Sequence, residues 1–207
     1  TTHAVTVAPK ALTISGLGSI GKVYDGSTVA AVSGTAVFAT EAVGSGHSAD
    51  GKAYLGDALS LAGTAEGRFD SRHAGVASRV SFSGLTLTGA AATNYVLVPH
   101  ADALNMAISA RPVTLTPAAV TRVYDGQVGY IANAADLQGL SAQLGVAGDR
   151  VVAADLRFDS KNVGSGKTAT LNGVTIDDGN GGRNHAPTLA ANSASSITRL
   201  AQATWIG

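Results

Sequence analysis

The stretch Gly21–Ala30 reads GKVYDGSTVA, and Thr121–Tyr130 reads TRVYDGQVGY. Both place Val-Tyr-Asp-Gly directly after a basic residue, so the question is whether one unit has been written twice. Further blocks recur in the same order. RFDSRHAGVASRVSFSGLTL (Arg68–Leu87) matches RFDSKNVGSGKTATLNGVTI (Arg157–Ile176), and KALTISGL (Lys10–Leu17) matches RPVTLTPA (Arg111–Ala118). Asn94-Tyr95 lines up with Asn184-His185, and MAISARPVTL (Met106–Leu115) is echoed by SSITRLAQAT (Ser195–Thr204). Ordered self-similarity of this kind marks tandem structural repeats. The expected division is the end of a preceding unit at 1–9, repeats at 10–110 and 111–199, and the start of a following unit at 200–207. Pro112 in the joint Ile108–Val113 fixes its own φ and extends Arg111, which predicts a stiff connection.

Inside each repeat the pattern is of short strands and turns. Leu12 and Ile14 alternate with polar neighbours, as do Val113 and Leu115. Asp25-Gly26 and Asp125-Gly126 carry a turn signal, because Asp bonds the local backbone and Gly accepts positive φ. Val80 and Phe82 share one parity, while Leu85 and Leu87 take the other after Gly84. Gly173 repeats that switch between Leu171 and Val174, and a glycine at a parity change predicts a β-bulge. Only Ala134–Leu144 has a helical rhythm, with Leu137, Leu140 and Leu144 on one face. The expected fold class is therefore mostly β, as two tandem elongated β domains with at most one short helix each. Either an immunoglobulin-like sandwich or a β-grasp-like sheet fits these strands.

Composition narrows the function. With 14 basic and 14 acidic side chains the net charge is zero, which argues against a nucleic-acid partner. Charged residues are 14% of the chain, below the usual ~25%, and the 26 glycines are nearly twice the usual ~7% share. Both suit small-residue β architecture. Cysteine is absent, so disulfides, thiolate metal sites and a cysteine nucleophile are excluded. No apolar run approaches the ~20 residues of a membrane-spanning helix. Thr1–Lys10 lacks a signal-peptide layout, and the chain reads as a piece of a longer exported polypeptide.

The blocks KVYDGST and RVYDGQ, with FDSRHAG and FDSKNVG downstream, resemble the YDG-type repeat of very large bacterial surface proteins. Those are similar to the filamentous-haemagglutinin group of adhesins, commonly exported by two-partner secretion. The second copy departs from the pattern with His185 in place of Tyr and with DDGNGG. The first carries a longer middle segment, Glu41–Tyr54. The resemblance implies an extracellular, mostly-β module on the bacterial outer surface, engaged in cell adhesion or biofilm, with neighbouring repeats as partners. Glycan, matrix polymer or host surface protein are further candidate partners.

Several candidate sites have competing structural readings. Tyr24, Asp25 and Gly26, with Tyr124, Asp125 and Gly126, are read as strand-end packing and turns rather than as a binding site. Phe69 and Phe158 are expected to anchor turns leading to Gly75 and Gly164, with Asn94 and Asn184 as matching positions further on. Asp177, Asp178 and Asn180 in IDDGNGGRNH resemble a calcium loop, yet miss the EF-hand spacing, and a Gly-rich hairpin turn is preferred. VGSGKT (Val163–Thr168) mimics the tail of a phosphate loop, but Lys161 stands where that motif needs glycine and a strand-like segment follows. His3, His47, His73, His100 and His185 show no zinc spacing. No G-x-S-x-G elbow marks a nucleophilic serine. Trp205 is expected to begin the next unit's core, and the Gly44–Gly51 loop is where a ligand contact would be sought. The expectation is a non-catalytic module without cofactor or membrane insertion; the alternative is direct glycan or protein binding.

Overall fold

A computed structural model describes residues 7–98, 101–102 and 107–201; His3, His100, Met106 and Trp205 lie outside them. The fold is mostly β, with one α-helix among the described residues. In chain order the strands are β1 (Lys10–Ser19), β2 (Lys22–Val23), β3 (Val29–Ala30), β4 (Val32–Phe38), β5 (Ser60–Phe69), β6 (Val80–Thr88), β7 (Tyr95–Val98) and β8 (Ala101–Asp102). There follow β9 (Ile108–Ser109), β10 (Arg111–Leu115), β11 (Thr121–Val123), β12 (Gly129–Ile131), helix α1 (Ala134–Ala142), β13 (Arg150–Phe158), β14 (Gly164–Asp177), β15 (His185–Leu189) and β16 (Ala191–Thr198). Two compact units result. The first runs to Lys22 and takes in Ser27–Arg72 and Val76–Ile108; the second takes in Val23–Gly26, His73–Gly75 and the chain from Ser109 onward.

In the first unit β1 pairs with β4 antiparallel and with β7 parallel, while β3, β5, β6 and β8 form a four-stranded antiparallel sheet. In the second unit β10 pairs with β15 in parallel, and the main sheet has the order β11-β16-β14-β13-β12. The β11–β16 pair there is parallel too. An immunoglobulin-like sandwich is built from antiparallel sheets. Each unit departs from that plan by a parallel pair, β1–β7 in the first and β10–β15 and β11–β16 in the second.

The cores follow from alternation. On β13, Val151, Ala154, Leu156 and Phe158 are buried, and a register shift between Val151 and Ala153 accounts for the break in their period. They join Leu115, Leu140, Leu144, Leu171 and Ile197 in the second unit's core. Helix α1 is set by its N-terminus: Asn133 accepts the Ala135 and Asp136 amides at 2.8 and 3.1 Å, and Asp136 accepts the Asn133 amide at 3.0 Å. That reciprocal cap satisfies amides which the first turn leaves over. Only Leu140 is buried within the helix, and Leu144 lies just past its end, so the apolar spacing reported a short element correctly.

Both glycine parity switches sit at breaks in register. Opposite Gly173 the pairing steps from Asp155 to Leu156, and opposite Gly84 it steps from Gly63 to Glu66. The two positions nevertheless differ physically. Gly84 has φ +82°, and a Cβ there would run into the Thr64 carbonyl; Gly173 has an ordinary backbone and open space around the missing Cβ. Gly84→Ala is therefore expected to destabilise the first unit by about 2 kcal/mol or more, whereas Gly173→Ala changes stability by less than about 0.5 kcal/mol. Denaturant titration of the two variants checks this, and equal costs would refute the distinction.

Candidate functional site

The basic residue before each Val-Tyr-Asp-Gly block has a partner that sequence reading missed. The Arg122 guanidinium lies 4.7 Å from the centroid of the buried Phe158 ring. It donates to the Asp125 carboxylate at 2.9 Å, to the Gly129 carbonyl at 3.0 Å and to the Gln127 carbonyl. In the first repeat the Lys22 ammonium lies 5.8 Å from the Phe69 centroid and donates to both the carbonyl and hydroxyl oxygens of Ser27 at 2.9 Å. The cation faces the electron-rich ring while its N–H groups tie down the turn. Asp125 closes that turn by accepting the Gln127 amide at 2.9 Å, and Gly126 follows with φ +78°. The Phe-Asp-Ser blocks are built alike: Phe69 and Phe158 donate their amides to Thr28 and Val128 at 2.8 Å.

Tyr24 is seated in the second unit and is 0% exposed. Its amide donates to the Ser109 carbonyl at 2.9 Å, and its hydroxyl to Asp149 Oδ1 at 3.3 Å. The ring meets His185 edge-on, with centroids 5.5 Å apart. His185 Nε2 donates to Asp149 Oδ2 at 2.7 Å, so both oxygens of one buried carboxylate are used. Gly26, at φ +82°, passes so close to Val146 that a Cβ would lie 2.8 Å from Val146 Cγ1.

Beside this seat the His73–Gly75 loop is held by amide side chains. Asn184 Oδ1 accepts the Ala74 amide at 3.0 Å, Asn184 Nδ2 lies 3.1 Å from His73 Nδ1, and Asn180 Nδ2 donates to the Ala74 carbonyl at 3.1 Å. Asn184 is 0% exposed, and Asp178 positions it. The Asp178 carboxylate accepts the amides of Asn180 at 2.8 Å, Gly182 at 2.9 Å and Asn184 at 2.8 Å. The Asp178 oxygens of the candidate calcium loop are thus turned onto its own backbone, while Asp177 pairs with Arg150 at 2.7 Å. Among the described residues no three His, Asp or Glu side chains gather as metal ligands.

The first unit carries the same plan in other residues. Tyr95 stands at the position of His185, and its hydroxyl donates to Asp57 at 2.5 Å while accepting the Tyr54 amide at 2.8 Å. Gly56-Asp57 and Gly148-Asp149 precede corresponding strands, which is the signal by which the two aspartates could have been paired from sequence. Lys10, itself buried, bonds Glu41 and Asp50 (3.0 Å to the latter), with its ammonium 3.9 Å from the Tyr54 ring centroid. Sequence reading had no means of finding that cluster, since Glu41, Asp50 and Tyr54 lie in the longer middle segment of the first repeat, which has no counterpart in the second. VGSGKT begins β14, so a strand follows Lys167, whose ammonium donates to the Ser160 hydroxyl at 2.8 Å.

The YDG domain family matches residues 8–103 and 109–192. The chain belongs to the YDG domain family. Curated proteins and solved structures yielded no match. In the YDG segments Tyr24, Phe69 and Phe158 are buried, Gly26 and Gly126 turn the chain at positive φ, and Asp125 bonds the turn's own groups, whereas Tyr124, expected to pack like Tyr24, is 37% exposed.

Two outcomes follow from these contacts. Arg122→Ala is expected to cost about 2–3 kcal/mol through loss of the ring contact and the carbonyl bonds, and Arg122→Lys about 1 kcal/mol, because Lys22 serves the same purpose in the first repeat. Equal midpoints for the two variants in denaturant would contradict that role. Burial pushes the Asp178 carboxyl up, but the Asn180, Gly182 and Asn184 amides and nearby His185 outweigh it and hold it below the usual carboxylate range. A depressed folded-state pKa stabilises above the unfolded value of 3.8 and loses that contribution as pH falls through the folded one. Stability measured from pH 5 to pH 2 should therefore fall more steeply for the native chain than for Asp178→Asn; parallel curves would rule out this carboxylate as a contributor.

Proposed function

We propose that this pair of YDG repeats is a non-catalytic structural module of a large bacterial surface protein of the filamentous-haemagglutinin-like adhesin kind. It serves outside the cell, spacing or presenting a region that attaches to a surface, matrix or host. The observation that carries this reading is where the signature side chains go. Tyr24 is fully enclosed, its hydroxyl on Asp149, and Asp125 is spent on its own turn. A ligand-binding motif leaves its polar atoms free for a partner; the Tyr24 hydroxyl and the Asp125 carboxylate are instead engaged within the chain. Tyr24, Asp149 and His185 form a hydrogen-bonded chain with the shape of a proton relay, but all three are buried. The family resemblance supports the adhesin setting and the two-partner export route, and it supplies no ligand.

The experiment couples binding to stability. Beads coated with the intact chain are applied to a glycan array and to matrix polymers, alongside beads carrying Asp125→Ala. The expected result is no retention above uncoated beads, with the substitution lowering the melting temperature by roughly 4–8 °C for a loss of about 1 kcal/mol. Retention by the native chain, abolished by Asp125→Ala at an unchanged melting temperature, would instead establish a directly glycan- or protein-binding module.

A further inference from the structure

Lys10 opens β1 at the position where the second repeat has Arg111. Its side chain is 6% exposed, and its ammonium donates to Glu41, whose side chain is 1% exposed, and to Asp50 at 3.0 Å. The Tyr54 ring lies over the same nitrogen, with its centroid 3.9 Å away. One enclosed amine thus faces two carboxylates beneath an aromatic ring. Amine and carboxylates occur together in the first repeat alone: the second has a guanidinium at the matching position and no counterpart of the Glu41–Tyr54 segment.

The backbone fixes all three groups. Lys10 is registered against Tyr95 on β7. The Glu41 amide donates to the Ala53 carbonyl at 2.8 Å, and the Ala53 amide to the Ala39 carbonyl at 2.9 Å, which holds the two sides of the segment together. Gly51, directly after Asp50, accepts the Thr13 amide at 2.8 Å. Its φ of +74° brings it so near β1 that a Cβ would lie 2.5 Å from Thr13 Oγ1.

As an ion pair this arrangement is incomplete. Two negative charges share one positive charge, and Glu41 Oε2 is buried with no hydrogen-bond partner among the described residues. Mutual attraction offsets the desolvation of a buried pair only when the remaining lone pairs are also satisfied. Condensation to a neutral amide removes both charges. In water the separate acid and amine are favoured because their ions are hydrated, and enclosure withdraws that hydration. Holding the nitrogen against the carboxyl group also turns an encounter into an intramolecular step.

We propose that Lys10 and Glu41 condense to an intramolecular amide, with Asp50 as the proton carrier. Burial pushes the Lys10 pKa down, but the bonds to Glu41 and Asp50 outweigh it and hold it above the ordinary lysine value. The reactants are therefore an ammonium and a carboxylate. One ammonium proton passes along the existing hydrogen bond to Glu41 Oε1, leaving an amine and a carboxylic acid. Nζ attacks Glu41 Cδ and the C–N bond forms, while Asp50 takes a second proton from the nitrogen. Asp50 returns that proton to the Glu41 hydroxyl, the C–O bond breaks, and water leaves. Charge is conserved and no co-reactant is consumed. The inference concerns chemistry within the first unit and is independent of the adhesin reading.

The test is the mass of the intact, denatured chain, which needs no variant to fold. The expected value is one water below that of the sequence, with fragmentation of a proteolytic digest placing the amide between Lys10 and Glu41. Lys10→Arg and Glu41→Ala should each restore the full mass. In freshly synthesised Asp50→Asn the lighter species should accumulate about a hundredfold more slowly than in the native chain. A native chain still at full mass after prolonged incubation would overturn the proposal. So would a water loss that persists in Lys10→Arg, which marks a succinimide at an Asp-Gly step, or an amide located on Asp50. Equal rates for Asp50→Asn and the native chain would refute the proton-carrier role.

Discussion

A carboxylate enclosed away from water has to be answered on both oxygens, and Asp149 is answered by Tyr24 and His185. An unpartnered charge in such a place costs several kcal/mol, so the three groups stand or fall together. That requirement reaches outward. His185 must be presented at the start of β15, which the Asp178-bonded turn before it accomplishes. Tyr24 must arrive with its hydroxyl inward, and its amide, donated to the Ser109 carbonyl, holds the backbone there. The most recognisable letters of the motif are those with the least freedom.

The two units place a hydrogen bond between an aspartate and a ring at the same point in different surroundings, Asp149 being buried and Asp57 exposed. Tyr95 replaces His185 and still bonds the aspartate that follows a glycine. Lysine replaces arginine over the phenylalanine ring, exchanging a planar fork for a compact ammonium, and the turn residues bonded to it change accordingly. The connection leading into β5 and β13 diverges most. In the second unit it is a capped helix that buries Leu140; in the first it is a longer segment tied down by Lys10, Glu41 and Asp50. Such a connection can vary because only its two ends are held by the shared strands.

Glycine is used for two purposes that look identical in sequence. At Gly84 and Gly26 the backbone takes a positive φ and a neighbouring atom occupies the space a side chain would need. At Gly173 neither condition holds, although the parity of the flanking apolar residues switches in the same manner. A register step can be accommodated by spreading the extra residue along the strand, so the period reports that a bulge exists without reporting which residue carries its strain.

The order of repeated blocks, the period-two alternation and the Asp-Gly turns were enough to establish by themselves that the chain is two mostly-β units, because those features depend on neighbours along the backbone. The short helix at Ala134–Ala142 was legible for the same reason, through its leucine spacing. What only the tertiary structure decided was which distant side chains meet: Arg122 with Phe158, Asp149 with Tyr24 and His185, Asn184 with Ala74. It also decided that Val23–Gly26 and His73–Gly75 belong with the second unit although their sequence lies in the first repeat. Such pairings depend on where the sheets bring separated loops together, and no local periodicity encodes that.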